Sequence, residues 1–207
     1  MKQAILFTAF IAVFHAGHAC AYPATHKRFP KGIYNDTTSA GMAATTQILS
    51  AIINVVGLQP NFELKQAKVL NIEASVSHRK RYILYNPDFI TRINNVTKDK
   101  WAAIALVAHE VGHHLNGHTI RKGGSTPQLE LEADEFAGFV LRKLGASLKQ
   151  AQEVMKYIAG TQTSKTHPGR SSRMLAIQQG WDKAADIRGT DAVAKNIPSA
   201  VTDNADN

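Results

Sequence analysis

Five consecutive residues have the types and spacing of a metal site that can do hydrolytic chemistry: His109-Glu110-Val111-Gly112-His113. In an α-helix, residues four positions apart lie about 400° round the axis, so the two imidazoles share one face. Two imidazoles at that spacing can bind one Zn²⁺, and the carboxylate beside them can take a proton from a zinc-bound water. The sequence therefore predicts a zinc site with its own general base.

The residues before this motif favour a buried helix over a solvated one. Positions 101–107 form an apolar run, and the motif continues it without a break. The alternative is an amphipathic surface helix whose histidines face water. Imidazole and carboxylate groups inside a buried helix need hydrogen-bond or metal partners, and a bound metal would provide them.

A third protein ligand is expected downstream of the second histidine. The metzincin pattern would place a histidine where this chain has Thr119, so that pattern fails. Glu130 and Asp134 follow at a spacing that puts both on one helix face. Glu130 as third ligand leaves the fourth zinc position open for water, and Asp134 can accept the free ring N–H of a ligand histidine. The alternative for both is an ordinary solvated acidic face. Glu132 points elsewhere and is predicted at the surface.

Three ordered motifs resemble the M48 family of zinc metallopeptidases, the Ste24/HtpX-like gluzincins. They are HEVGHH at 109–114, ELEADEFAG at 130–138, and Thr166-His167-Pro168 followed by Arg173. The resemblance spans residues 35–181 and implies a zinc endopeptidase with one Zn²⁺ per chain. The ligands that it implies are His109, His113 and Glu130. The catalytic residues that it implies are Glu110 as general base, with His167 and Arg173 near the substrate oxyanion.

The N-terminus predicts an export signal over residues 1–21. An apolar segment at 4–14 is too short to span a bilayer comfortably, and Ala19-Cys20-Ala21 offers a cleavage site. The mature chain would then be periplasmic or secreted, with no transmembrane span, unlike the membrane-embedded branches of the family. An uncleaved anchor and a lipid-modified Cys20 are the alternatives. Cleavage after Ala21 removes the chain's one cysteine, so stability would come from packing and metal.

The chain is basic, with a formal net charge of +8, and its Lys and Arg residues are dispersed. No aromatic-interleaved basic groove and no nucleic-acid-binding motif are present, so nucleic acid is excluded as an expected partner. Two alternatives stay open for the charge. The protein is either simply a basic soluble enzyme, or one that makes peripheral contact with acidic envelope surfaces.

We predict an α+β fold: a mainly helical, zincin-like metallopeptidase domain with a small antiparallel β-sheet beside the motif helix. Helices are predicted at 38–56, 98–116, 128–144, 147–158 and 168–180. Strands are predicted within 62–75 and at 81–85, joined by a turn at 77–80, with a break at Asn86-Pro87-Asp88. The domain is expected to cover 35–185, after an irregular lead-in at 22–34 and before a disordered tail at 186–207.

Residues around the site carry further expectations. An edge strand near Ala74 and Ser75 would pair with an extended substrate by strand addition. Three other histidines are predicted to have no catalytic part: His114 as structural or surface, His118 as a loop residue, His78 as solvent-exposed.

The function expected is zinc-dependent cleavage of exported or envelope proteins presented as unfolded or extended polypeptides. Two alternatives remain at this point. One is a zinc-stabilised binding or chaperone module with slow or gated proteolysis. The other is an amidase acting on the cell-wall polymer, for which the sequence offers the basic charge but no motif.

Overall fold

The structure is a computed structural model that describes residues 39–121 and 123–186. The predicted export signal at 1–21, the lead-in at 22–34 and positions 187–207 of the predicted tail lie outside the described residues. Within them the chain has an α+β fold, mainly helical with one small sheet. Over those same two ranges, no helix has the length and apolar character needed to cross a membrane.

The helices are α1 (Ser39–Val56), α2 (Pro87–Thr97), α3 (Trp101–Leu115), a short 3-10 helix (His118–Ile120), α4 (Pro127–Lys143), α5 (Leu148–Glu153), α6 (Met155–Ile158) and α7 (Arg170–Asp186). The strands are β1 (Glu63–Gln66), β2 (Ile72–Ser77) and β3 (Lys80–Tyr85). Each of the five predicted helical segments is therefore helical, although the one expected at 147–158 is divided into two short helices.

The sheet is mixed, so the expectation of an antiparallel sheet is wrong. β2 and β3 form the predicted antiparallel hairpin, but β1 pairs parallel with the other side of β3. β1 and β2 lie on opposite sides of β3 because residues 67–71, which connect them, cross the end of β3. There Asn86 N–H donates to Asn71 O at 2.7 Å. The hairpin turn lies at His78 and Arg79, with φ of 49° and 64°, as a tight hairpin turn requires.

Helix α2 was not predicted, because Asn86-Pro87-Asp88 was interpreted only as the end of a strand. The Asn86 side chain caps this helix by accepting from the backbone N–H groups of Asp88 and Phe89. Proline suits the first helical position, since its missing N–H would have no partner there. The helix then buries Phe89, Ile90 and Ile93.

Helix α3 runs through the core between β2 on one side and α4 on the other, and it is buried along nearly its whole length. Gly112 allows the close approach of α4, because a Cβ there would lie 3.2 Å from the backbone of Ala133. This contact brings the face of α3 that carries His109 and His113 toward the first turns of α4.

Helix α7 packs on α4 at a distance that only glycine permits. A Cβ on Gly138 of α4 would overlap the backbone oxygen of Ile177, and one on Gly180 of α7 would overlap the backbone oxygen of Glu135. Two glycines facing opposite ways thus set how near these helices lie. The same interface holds Arg173 of α7 against α4.

We expect Gly180→Ala to lower the free energy of unfolding by about 1–3 kcal/mol, because the added methyl group forces α7 away from α4. Alanine is a better helix former than glycine, so helix propensity alone would predict a higher free energy of unfolding. Urea denaturation gives the comparison. The matched control is the exposed neighbour Gln179→Ala, expected to change stability by less than about 0.5 kcal/mol. Equal stability of the two variants would contradict the close packing.

Candidate metal centre

The three residues predicted as ligands come together in the interior. One nitrogen or oxygen atom from each of His109, His113 and Glu130 lies within 4.8 Å of the other two. The Nε2 atoms of the histidines are 3.1 Å apart, and each lies 3.5 Å from an oxygen of Glu130. All three residues are buried. This group could hold a metal ion, with the two imidazoles provided by α3 and the carboxylate by the first turn of α4.

Asp134 lies one turn after Glu130 and supports His109. Its Oδ1 is 2.9 Å from His109 Nδ1, which leaves Nε2 of that ring facing the other ligand groups. Arg173 donates to both oxygens of Asp134, at 2.7 Å each, and the two side chains are almost completely buried. Although burial alone would raise the pKa of Asp134, the adjacent Arg173 and His109 hold that pKa below its usual value.

Arg173, which was expected near the substrate oxyanion, lies on α7 with its guanidinium against Asp134. Its Nη2 also lies 3.9 Å from Glu130 Oε2. In this position the guanidinium compensates the negative charge of two buried carboxylates. It thereby holds Asp134 in its contact with His109.

Glu110 is fully buried beside the ligand group. The backbone N–H of Ala74 in β2 donates to its Oε2 at 2.7 Å. Within the part of the chain that the structure describes, its Oε1 is buried without a hydrogen-bond partner. Burial raises the pKa of Glu110 to about 8, although the nearby charge of His109 acts in the opposite direction. A carboxyl group with one fixed oxygen, one available oxygen and such a pKa can take up and release a proton near neutral pH.

A small cleft opens onto this group between β2 and the loop that precedes α4. Its lining includes Ala74, Glu110, His113 and, from the loop, Gly124 and Ser125. The Ser125 hydroxyl donates to Glu130 Oε1, so this loop is tied to the ligand carboxylate. The expected edge position of Ala74 and Ser75 agrees with the sheet order, since both lie on the outer strand β2.

His167 lies on the loop that leads into α7, and it is 8% exposed. Its Nδ1 is 2.8 Å from the Thr166 hydroxyl. Nε2 is buried, and no residue in the described ranges hydrogen-bonds to it. Burial lowers the pKa of His167, while the negative charge of Glu130 opposes that shift. The ring therefore lies within the electric field of the ligand group and presents a buried nitrogen.

His118 was predicted to be a loop residue, and that prediction is wrong. It begins the 3-10 helix, is 5% exposed, and places its Nδ1 3.0 Å from Nδ1 of His113. Its Nε2 lies 2.9 Å from Oε2 of Glu132, a residue that was expected simply at the surface. The available signal was Gly117, whose φ of 71° turns the chain back toward α3.

The other two histidines differ in their surroundings. His114 is 1% exposed, with Nε2 2.9 Å from Tyr82 O and its ring stacked on Phe62 at 5.0 Å. Of the two alternatives for it, the structural one is confirmed. Burial lowers the pKa of His114 to about 4, so it is neutral at ordinary pH. His78 is exposed in the hairpin turn, as predicted.

Comparisons with known proteins found no relative of this chain. No protein-family model, no curated protein and no solved structure matches the chain. The resemblance to the M48 peptidases therefore rests on the three motifs of the sequence. The structure itself provides a buried two-histidine, one-carboxylate group that could hold a metal ion, with a second buried carboxylate beside it.

We expect Arg173→Met to lower the free energy of unfolding by about 3–5 kcal/mol, because it leaves Asp134 buried without its main compensating charge. The measurement is urea unfolding in a chelator, so that no metal contributes. Lys183→Met is the matched control, since Lys183 pairs with Glu135 between the same two helices but its side chain is 65% exposed. That variant should lose about 1 kcal/mol or less. Equal losses in the two variants would show that the buried pair has no special role.

Proposed function

We propose that this protein is a zinc-dependent metalloendopeptidase that hydrolyses peptide bonds of exported or envelope proteins. The observation that supports the proposal most is the position of Glu110. A buried carboxyl with an available oxygen lies beside a buried group of two imidazoles and one carboxylate. A purely structural metal site has no need of an additional base there.

The donor set fits zinc. Two imidazole nitrogens and one carboxylate oxygen are the protein ligands of one common class of catalytic zinc site, in which the fourth position takes water or substrate. Two buried polar atoms, Oε1 of Glu110 and Nε2 of His167, would gain hydrogen-bond partners from the bound water or substrate. His109, His113 and Glu130 would hold the ion.

A bound zinc ion would supply the Lewis acid that makes water nucleophilic near neutral pH. Glu110 would take the proton from that water at Oε1, while Ala74 N–H keeps Oε2 in place. The same carboxyl then delivers the proton to the leaving amine. Asp134 holds His109 in the tautomer that leaves Nε2 for the metal, and Arg173 keeps Asp134 ionised.

His167 is the proposed donor to the developing oxyanion. If the Thr166 hydroxyl donates to Nδ1, the ring proton must be on Nε2, and Nε2–H is then a hydrogen-bond donor. A preorganised donor of this kind stabilises the charge that appears only as the tetrahedral intermediate forms. In this proposal Arg173 acts through its two bonds to Asp134.

The substrates proposed are unfolded or extended polypeptides. β2 is an outer strand and forms one wall of the cleft, so an extended chain can add to it by backbone hydrogen bonding. An M48-like zincin fold, export by the N-terminal signal and peripheral attraction to acidic envelope surfaces belong to the same proposal. Nucleic acid is not a proposed partner.

Glu110→Gln tests the proposed base. We expect wild type and variant to bind about one zinc per chain, with cleavage of unfolded casein by the wild type only, since the amide cannot accept the proton. Metal analysis and a cleavage assay are run on the same preparations. Glu63→Gln, at an exposed site on β1, is the control that should keep both properties. Zinc in wild type without cleavage would favour the binding or chaperone module, and a wild type without zinc would refute the proposal.

His167→Ala should lower kcat about 10²–10³-fold while the zinc content stays at the wild-type level, because the lost group stabilises only the transition state. Steady-state kinetics with metal analysis separates the two quantities. His78→Asn removes an exposed histidine and keeps a residue that tolerates positive φ, so it serves as control. Loss of zinc and of activity in parallel would mean that His167 is structural.

A further inference from the structure

We propose that His118, itself held by Glu132, is the positioning residue that fixes the orientation and tautomer of the metal ligand His113. The sequence motifs assign it no role. The inference rests on the proposed function, because it takes His113 as a ligand through Nε2. It concerns metal affinity, so it can be tested without any peptide substrate.

The ring of His113 has two nitrogens with different neighbours. Nε2 faces the ligand group, at 3.1 Å from His109 Nε2 and 3.5 Å from Glu130 Oε1. A nitrogen that binds a metal must present its lone pair, so the proton of the neutral ring must be on Nδ1. Nδ1 lies 3.0 Å from His118 Nδ1, and therefore His113 donates to His118.

The hydrogen bonds of His118 and Glu132 continue in the same direction. Because Nδ1 of His118 accepts, its proton is on Nε2, which donates to Glu132 Oε2 at 2.9 Å. The other oxygen of Glu132 accepts from Gln128 Nε2 at 3.1 Å. Every atom along this chain then has one consistent role, either donor or acceptor. A carboxylate at the end sets the tautomer of His118, and His118 sets that of His113.

The two rings meet edge to face, with centroids 5.1 Å apart and planes inclined by 71°. In this orientation their Nδ1 atoms lie 3.0 Å apart, within hydrogen-bonding distance. His118 is held in place by its backbone, since the 3-10 helix follows the positive-φ Gly117 and Arg121 N–H donates to His118 O at 3.3 Å. The element is thus built to direct this ring toward α3.

The two ligand histidines are supported in different ways. His109 is held by the ionised and fully buried Asp134, which Arg173 compensates. His113 is held by a neutral ring whose carboxylate partner is 39% exposed. The second arrangement places no additional buried charge beside the ligands, where an uncompensated carboxylate would be costly. It also means that His118 can be changed without leaving a buried ion unpaired.

The test measures zinc affinity by competition with a chelator, with zinc as the only added ligand. His118→Ala should bind zinc about 10–100-fold more weakly, as is usual when a partner of a ligand histidine is lost. His118→Asn should retain most of the affinity, because its Oδ1 can occupy the place of the acceptor Nδ1. Glu132→Ala, at a part-exposed position, should show a smaller loss in the same direction. His78→Asn is the matched histidine control and should bind like the wild type.

Thermal melting of each metal-free variant identifies general destabilisation. Wild-type affinity in His118→Ala, or equal losses in the alanine and asparagine variants, would overturn the inference. Poor folding of His118→Ala leaves His118→Asn and Glu132→Ala to decide it. Zinc binding with the expected order of variants but no peptide cleavage would refute the proposed function and keep the inference. Normal cleavage with unchanged zinc affinity in His118→Ala would keep the proposed function and refute the inference. A wild type that binds no zinc would overturn both.

Discussion

The buried contact between Arg173 and Asp134 is the interaction on which the arrangement of the centre depends. Asp134 lies one helical turn from Glu130 on α4. Because Arg173 fixes the position of the Asp134 carboxylate, it also fixes the direction in which Glu130 points. The two bonds are formed across the α4–α7 interface, at a separation that Gly138 and Gly180 make possible. An ion pair in this position contributes little to net stability, because desolvation offsets most of the attraction. Its two bonds hold the Asp134 carboxylate where Oδ1 lies 2.9 Å from His109 Nδ1.

The position of α3 is a second constraint, because it carries charged and polar groups into an apolar interior. His109 and His113 can be buried there only since each has a partner, Asp134 for one and His118 for the other. Gly112, on the same helix, allows α4 to approach closely enough for Glu130 to face both rings. The contact between α3 and α4 that excludes water therefore also brings the donor atoms together.

The sequence was sufficient for the parts of the site that depend on local geometry. Helical spacing predicts that His109 and His113 share a face, and that Glu130 and Asp134 share another. It does not predict the crossing of residues 67–71 that makes the sheet mixed, because that depends on pairing between distant segments. Nor does it reveal His118, which reaches His113 only because the chain turns back at a glycine with positive φ.

The protein groups that orient the two rings come from different elements, Asp134 from α4 and His118 from the 3-10 helix. Each fixes which ring nitrogen of its histidine carries the proton. The fold therefore leaves the Nε2 lone pairs of His109 and His113 available for a metal ion. Glu110 is held in a third way, by a backbone N–H of β2. A site held from three elements would need little rearrangement to carry out the proposed binding of a metal ion and a substrate. Reorganisation is a large part of the cost of both binding and catalysis. The hydrogen bonds around the ligands are therefore as much a part of the proposed mechanism as the ligands themselves.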